Sequence, residues 1–157
     1  MLARCEAFAM ACILVIDDDR AVRATIKTWL EIEDHEVVVA KDGRDGFKKI
    51  ETDHFDLLIV DIFMPVMDGL EMIRLVHQRK PELPIIVISG FTVRSSSVSA
   101  PDFLAMATKL GGACSLHKPF NPRELSAAVN ECLARPVSGQ RSAARPMTQQ
   151  GRGPFGG

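Results

Sequence analysis

Carboxylates, a hydroxyl and an amine stand directly behind short apolar runs of this 157-residue chain. Asp17, Asp18 and Asp19 follow CILVI, Asp61 follows LLIV, Ser89 follows IIVI and Lys118 follows CSLH. Carboxylates gathered within ~4–6 Å of each other repel, so either one takes up a proton or a cation joins them. Oxygen-only ligands with room for water suit Mg²⁺, which keeps several waters and pairs naturally with phosphate. A carboxylate held beside such an ion can act as a nucleophile toward an activated phosphoryl group. The ion and a lysine then neutralise the transferring oxygens, and a neighbouring hydroxyl can donate to the acyl phosphate once formed. The chemistry implied is transfer of a phosphoryl group onto an aspartate.

These residues meet only if the runs before them are strands of one sheet. The runs are Cys12–Ile16, Val37–Ala40, Leu57–Val60, Ile85–Ile88 and Cys114–His117. The first four are rich in Val, Ile and Leu and nearly uninterrupted, as strands buried on both faces of a parallel sheet read. The fifth is assigned from its place in the series. Between the runs the apolar spacing is helical: Val22, Ile26, Trp29 and Leu30; Phe47 and Ile50; Leu70, Ile73 and Val76, stopped near Pro81; Phe103, Ala107 and Leu110, ended by Gly111-Gly112; and Leu125, Ala128, Val129, Cys132 and Leu133. Asp19 reads as the N-cap of the first helix. Asn121-Pro122-x-Glu124 reads as a capping box before the last helix, and Ser99-x-x-Asp102 as a similar one before the fourth. Strands alternating with helices predict an α/β fold. It is a (βα)₅ doubly wound five-stranded parallel sheet in a three-layer sandwich. In such sheets ligands bind beyond the carboxyl ends of the strands, where strand order reverses.

Composition narrows the classes. The length suits one domain with a tail, and 46% hydrophobic with 25% charged residues is an ordinary globular mixture. A formal net charge of -1 argues against a basic nucleic-acid binder. We divide the chain into an N-terminal extension (1–10), a folded domain (11–135) and a disordered, basic, Gly/Pro-rich tail (136–157). Met10 is a candidate start, since MACILVIDDD opens directly on the first strand. The stretch AFAMACILVI after Arg4 imitates a signal peptide but runs into three aspartates without a convincing cleavage site. No run approaches the ~18 apolar residues of a membrane span, and a cytoplasmic protein is expected. Cys5, Cys12, Cys114 and Cys132 form no C-x-x-C pair or zinc cluster and read as reduced core residues, not as a redox or zinc site. His35, His54, His77 and His117 read as ordinary. Neither G-x-G-x-x-G nor a P-loop motif is present.

The segments ILVIDDDRAVR, LLIVDIFMPVMDG, PIIVISG and LHKPF, in this order, resemble the receiver domain of two-component response regulators over about residues 11–135. The resemblance implies a flavodoxin-like fold with strand order 2-1-3-4-5. It makes Asp61 the phosphoacceptor, and Asp17 and Asp18 an acidic pair. Mg²⁺ would be held by Asp17, Asp18, Asp61 and the backbone carbonyl of Phe63, with Asp18 rather than Asp17 in direct contact. Ser89 matches the switch hydroxyl and Lys118 the phosphate-pairing lysine. Lys118-Pro119 would be cis, and Pro65 and Gly69 would shape the loop after the acceptor. The donor would be a sensor histidine kinase or a histidine phosphotransfer protein. With a tail too short for an output domain, the expectation is a stand-alone regulator, not an enzyme. It would touch an unknown protein target through the fourth and fifth helices and the fifth strand. No nucleic acid or membrane partner is expected, and the state would be a monomer or a phosphorylation-dependent dimer.

The sequence departs from the family at Ser115, where an aromatic residue usually swings inward on phosphorylation; the chain has no tyrosine. The stretch from Ser89 to Lys118 is also long, with a Ser-rich segment TVRSSSVSA. Phe63 and Phe91, each two residues beyond a reacting group, are expected to obstruct attacking water and slow autodephosphorylation. A receiver-like scaffold that no longer switches is the alternative. An aspartate-nucleophile phosphatase of the haloacid-dehalogenase kind is disfavoured, because Phe63 stands where its second aspartate belongs.

Overall fold

Alternate residues of a strand point to opposite faces, and here both faces are apolar. The computed structural model describes residues 10–62, 64, 69–90, 109 and 114–134. Within them lie β1 (Cys12–Ile16), α1 (Arg20–Ile32), β2 (Glu36–Ala40), α2 (Gly43–Thr52), β3 (Leu57–Asp61), α3 (Gly69–Arg79), β4 (Ile85–Gly90), β5 (Cys114–Lys118) and α4 (Pro122–Ala134). The five strands form one parallel sheet in the order β2-β1-β3-β4-β5. Ile13, Val15, Leu57, Ile59, Ile86 and Ile88 pack with Ile26 and Leu30 of α1 and Leu125 and Val129 of α4. Leu14, Ile16, Leu58, Val60, Ile85 and Val87 pack on the opposite face with Ile50 of α2 and Met72, Ile73 and Val76 of α3. Two apolar layers flanking one sheet make the three-layer sandwich. Each large side chain removed from water this way contributes about 1.5–3 kcal/mol before entropy is counted.

The helix ends follow the local chemistry. Asp19 accepts from the amides of Ala21 (2.8 Å) and Val22 (3.3 Å), capping α1 as expected. Asn121 and Glu124 exchange reciprocal bonds of 2.8 and 2.9 Å, the capping box of α4. Asp42 caps α2 by accepting from the amide of Asp45 at 2.8 Å, a cap the sequence reading does not include. Two residues beyond α1, Asp34 has a φ of 65°, a left-handed turn in a non-glycine residue.

The strands run further than their apolar runs. β3 includes Asp61, β4 continues through Ser89 to Gly90, β5 reaches Lys118, and β2 starts at Glu36. A ladder needs only backbone donors and acceptors, so it continues past the point where side chains turn polar. The polar residues therefore occupy the last rungs: Asp61 opposite Ile88, Ser89 opposite His117 and Gly90 opposite Lys118. The weak apolar signal of the fifth run has a cause in its place. β5 is an edge strand whose exposure alternates along its length. Residues 1–9, the expected fourth helix with its Ser99 box and Gly111-Gly112 stop, the TVRSSSVSA segment and the tail lie outside the described residues. Among the described residues, no helix is long and apolar enough to cross a membrane.

Candidate functional site

Strand order reverses between β1 and β3, because β2 lies on one side of β1 while β3, β4 and β5 follow on the other. The acids stand at that reversal. Asp17 directly follows β1 and is fully buried, Asp18 is exposed, and Asp61 ends β3 at 4% exposure. One carboxylate oxygen from each of the three lies within 4.8 Å of the others. Lys118, at the end of β5, reaches across to both buried acids: its Nζ donates to Asp17 Oδ2 at 2.9 Å and to Asp61 Oδ2 at 3.0 Å.

The backbone holds Asp17 in place. Its Oδ1 accepts from the Asp19 amide at 2.9 Å, and its carbonyl accepts from Arg23 at 2.6 Å. Asp19 thus serves twice, with its amide on Asp17 and its side chain on α1. Burial pushes the Asp17 carboxyl above the ordinary carboxylate range. The bonds from Asp19 and Lys118 oppose that push without cancelling it, and the charge of Asp61 adds to it. For Lys118, burial alone would lower the ammonium. The bonds and charges of Asp17 and Asp61 outweigh burial and hold it above its usual value. The lysine therefore stays a cation, while burial makes Asp17 reluctant to ionise.

α3 closes on the site from below. The amide of Gly69 donates to the carbonyl of Ile62 at 2.9 Å. A Cβ at position 69 would collide with the carbonyl oxygen of Asp61 and the Cα of Ile62. Only glycine allows the helix to start this close to the end of β3. Lys118-Pro119 is cis, as the resemblance implied. Phe63, Pro65 and Phe91 lie outside the described residues, so the expected carbonyl ligand and the water-blocking pair lie there too.

Ser89 is buried (2%) on β4, one residue beyond the rung that Ile88 shares with Asp61. Its Oγ lies 3.3 Å from His117 Nδ1. His117, read from sequence as ordinary, is in fact a neighbour of the site. The only signal that could have found it is the β4–β5 register, which the sequence does not display. Ser115 is exposed, and the period of two puts it on the same face of β5 as His117. The face on which the resemblance implied an aromatic residue carries an imidazole one period nearer the acids. Beside Lys118, a groove of about 580 Å³ runs between α1 and the turn after β5, lined by Val22, Ile26, Trp29, Pro119 and Phe120. Trp29 and Phe120 meet edge to face, ring centroids 6.2 Å apart.

The response regulator receiver domain profile matches residues 13–130. The chain belongs to the response regulator receiver family. Among full-length relatives of this receiver is the alkaline phosphatase synthesis transcriptional regulatory protein PhoP of Bacillus subtilis. It is 32% identical over 123 residues, which are 78% of this chain and 48% of PhoP. Response regulator MprA of Mycolicibacterium vanbaalenii is 36% identical over 123 residues, 78% of this chain and 50% of MprA. The receiver chain thus spans about half the length of the curated relatives it matches. Solved structures agree. A CheY-like receiver from Methanospirillum hungatei superposes with a TM-score of 0.71 at 31% identity, covering 80% of this chain and 94% of that one. Chemotaxis protein CheY4 of Vibrio cholerae superposes with a TM-score of 0.70 at 30% identity, covering 80% of this chain and all of that one. The flavodoxin-like fold and the two-component class follow. Receivers bind Mg²⁺ at an acidic pocket and receive phosphoryl groups from histidine kinases.

Proposed function

We propose that this chain accepts a phosphoryl group on Asp61 and passes the signal on by protein–protein contact. The observation that carries the reading is one lysine joining two buried carboxylates, at 2.9 and 3.0 Å, on the rim where strand order reverses. A stability-driven core has no use for such a cluster, since buried charges cost more than apolar packing returns.

The donor set fits a hard divalent cation. The three clustered donors are carboxylate oxygens within 4.8 Å of one another, and Asp18 faces solvent where retained waters fit. Asp17, Asp18, Asp61 and the carbonyl of Phe63 would hold Mg²⁺, with Asp18 in direct contact and Asp17, whose oxygens already accept from Asp19 and Lys118, supporting it. When bound, the ion supplies charge neutralisation at the phosphoryl oxygens.

The chain's own residues do the rest. A carboxylate oxygen of Asp61 attacks phosphorus as the bond to the donor's imidazole nitrogen breaks. The ammonium of Lys118 has three donors, two of which serve Asp17 and Asp61; the third turns to a phosphoryl oxygen. Ser89 leaves His117 and donates to another. The donor is a sensor histidine kinase or a phosphotransfer protein, approaching over the apolar groove beside Lys118. We assign the chain a stand-alone signalling role rather than an enzymatic one, in the cytoplasm, with output through a protein target.

The test is incubation with Mg²⁺ and acetyl phosphate, read as intact mass, with Asp61→Asn as control. One phosphoryl group gained by the parent and none by the variant supports the assignment. No gain in the parent, or a gain retained in the variant, overturns it.

A further inference from the structure

Cys114 and Cys132 are separated by the whole of β5 and most of α4, and nothing in their sequence spacing marks them as partners. The fold brings them together. β5 runs from Cys114 to Lys118, a short turn follows, and α4 returns antiparallel along the sheet to Cys132 in its closing turns. The two Sγ atoms lie 2.8 Å apart. A disulfide needs ~2.05 Å between the sulfurs, about 0.8 Å less than their separation here.

We propose that Cys114 and Cys132 are a thiol pair that closes to an intramolecular disulfide when hydrogen peroxide reaches Cys114. Accessibility assigns the order. Cys132 is buried at 2% exposure, whereas Cys114 is partly exposed and lines an open groove with Ser115, Leu116, Glu124, Ala128 and Glu131. The two glutamates on that groove disfavour an anionic oxidant such as glutathione disulfide and leave an uncharged peroxide unimpeded.

The thiolate of Cys114 attacks one peroxide oxygen. The O–O bond breaks, and the other oxygen leaves as water after taking a proton, giving the sulfenic acid. Cys132 sulfur then attacks Cys114 sulfur; the S–S bond forms, the S–O bond breaks, and a second water carries away the hydroxyl and the Cys132 proton. In sum, two thiols are oxidised and one peroxide is reduced to two waters.

The bridge joins the start of β5 to the closing turns of α4. Their other ends are already joined by the turn at residues 119–121, so the strand and the helix become a loop closed at both ends. Cys12 does not compete: burial, with the charges of Glu36, Asp56 and Asp53, pushes its thiol up and away from the reactive thiolate.

The experiment treats the reduced full chain with hydrogen peroxide under native conditions. Remaining thiols are trapped with N-ethylmaleimide, followed by intact mass and non-reducing peptide mapping. The expected result is a monomer lacking two alkylatable thiols, a cross-linked Cys114–Cys132 peptide, and recovery of both thiols with dithiothreitol. Hydrogen exchange should slow in the closing turns of α4 on oxidation and recover on reduction. Cys114→Ser should abolish the bridge, and Cys132→Ala should leave a dimedone-reactive sulfenic acid at Cys114. Mapping of the unsubstituted chain decides the matter even if a variant folds poorly. Oxidation of Cys114 with Cys132 still a thiol, or bridging only to Cys5, to Cys12 or between chains, overturns the proposal.

Discussion

Replacing Lys118 with methionine removes the ammonium that separates two buried carboxylates while keeping most of the apolar stem. In the parent its Nζ lies 2.9 Å from Asp17 and 3.0 Å from Asp61, whose side chains are 1% and 5% exposed. Removing one partner from a buried ion pair typically costs about 3–5 kcal/mol, and the 23% exposure of the lysine side chain lets some water replace it, so we expect about 3 kcal/mol near pH 8. For a domain of this size that is a fall of about 10 °C in Tm. The loss should shrink on acidification. Burial already raises Asp17 above its ordinary value of 3.8, and without Lys118 the largest side-chain effect lowering it is gone. A carboxyl raised in the folded state binds its proton more tightly there, so its stability contribution is present at low pH and lost as pH rises through the folded value. The variant should therefore approach the parent at an acidic pH, as Asp17 takes up its proton. Millimolar Mg²⁺ should also restore part of the loss, since a ligand of the folded state stabilises it by mass action. Urea unfolding at both pH values, with and without Mg²⁺, measures all of this. A deficit of equal size at both pH values, or no deficit near pH 8, would refute the electrostatic account of the cluster.

Gly69→Ala places a methyl group against the Asp61 carbonyl and the Ile62 Cα. It should cost about 3 kcal/mol in urea unfolding and lower the rate of Asp61 phosphorylation. His117→Ala releases the Ser89 hydroxyl from its 3.3 Å contact and should speed phosphorylation by acetyl phosphate several-fold; an unchanged rate would mean the imidazole does not hold the hydroxyl. Asp34→Gly relieves a φ of 65°. Because the left-handed cost of ~1–2 kcal/mol slightly exceeds the entropy cost of glycine, the variant should gain about 0.5 kcal/mol by thermal or urea unfolding.

The sequence by itself determined most of the described elements and set the polar groups at the ends of their strands. β1, β3 and β4 are legible because strands buried on both faces must be apolar at nearly every position, and LLIV or IIVI admits little else. The caps at Asp19 and Asn121–Glu124 are legible because their chemistry is local, spanning three residues. Asp61, Ser89 and Lys118 are marked because each interrupts an apolar run at the same end of its strand. Tertiary structure decided which of these groups touch. Lys118 meets Asp17 across 101 residues of chain, Ser89 meets His117 across 28, and Cys132 meets Cys114 across 18. Each contact depends on strand order, on ladder register, or on the path by which a helix returns over the sheet. Those follow from packing the whole chain at once. No window of sequence carries them, so an imidazole beside the hydroxyl and a thiol pair behind the last strand came into view only in the fold.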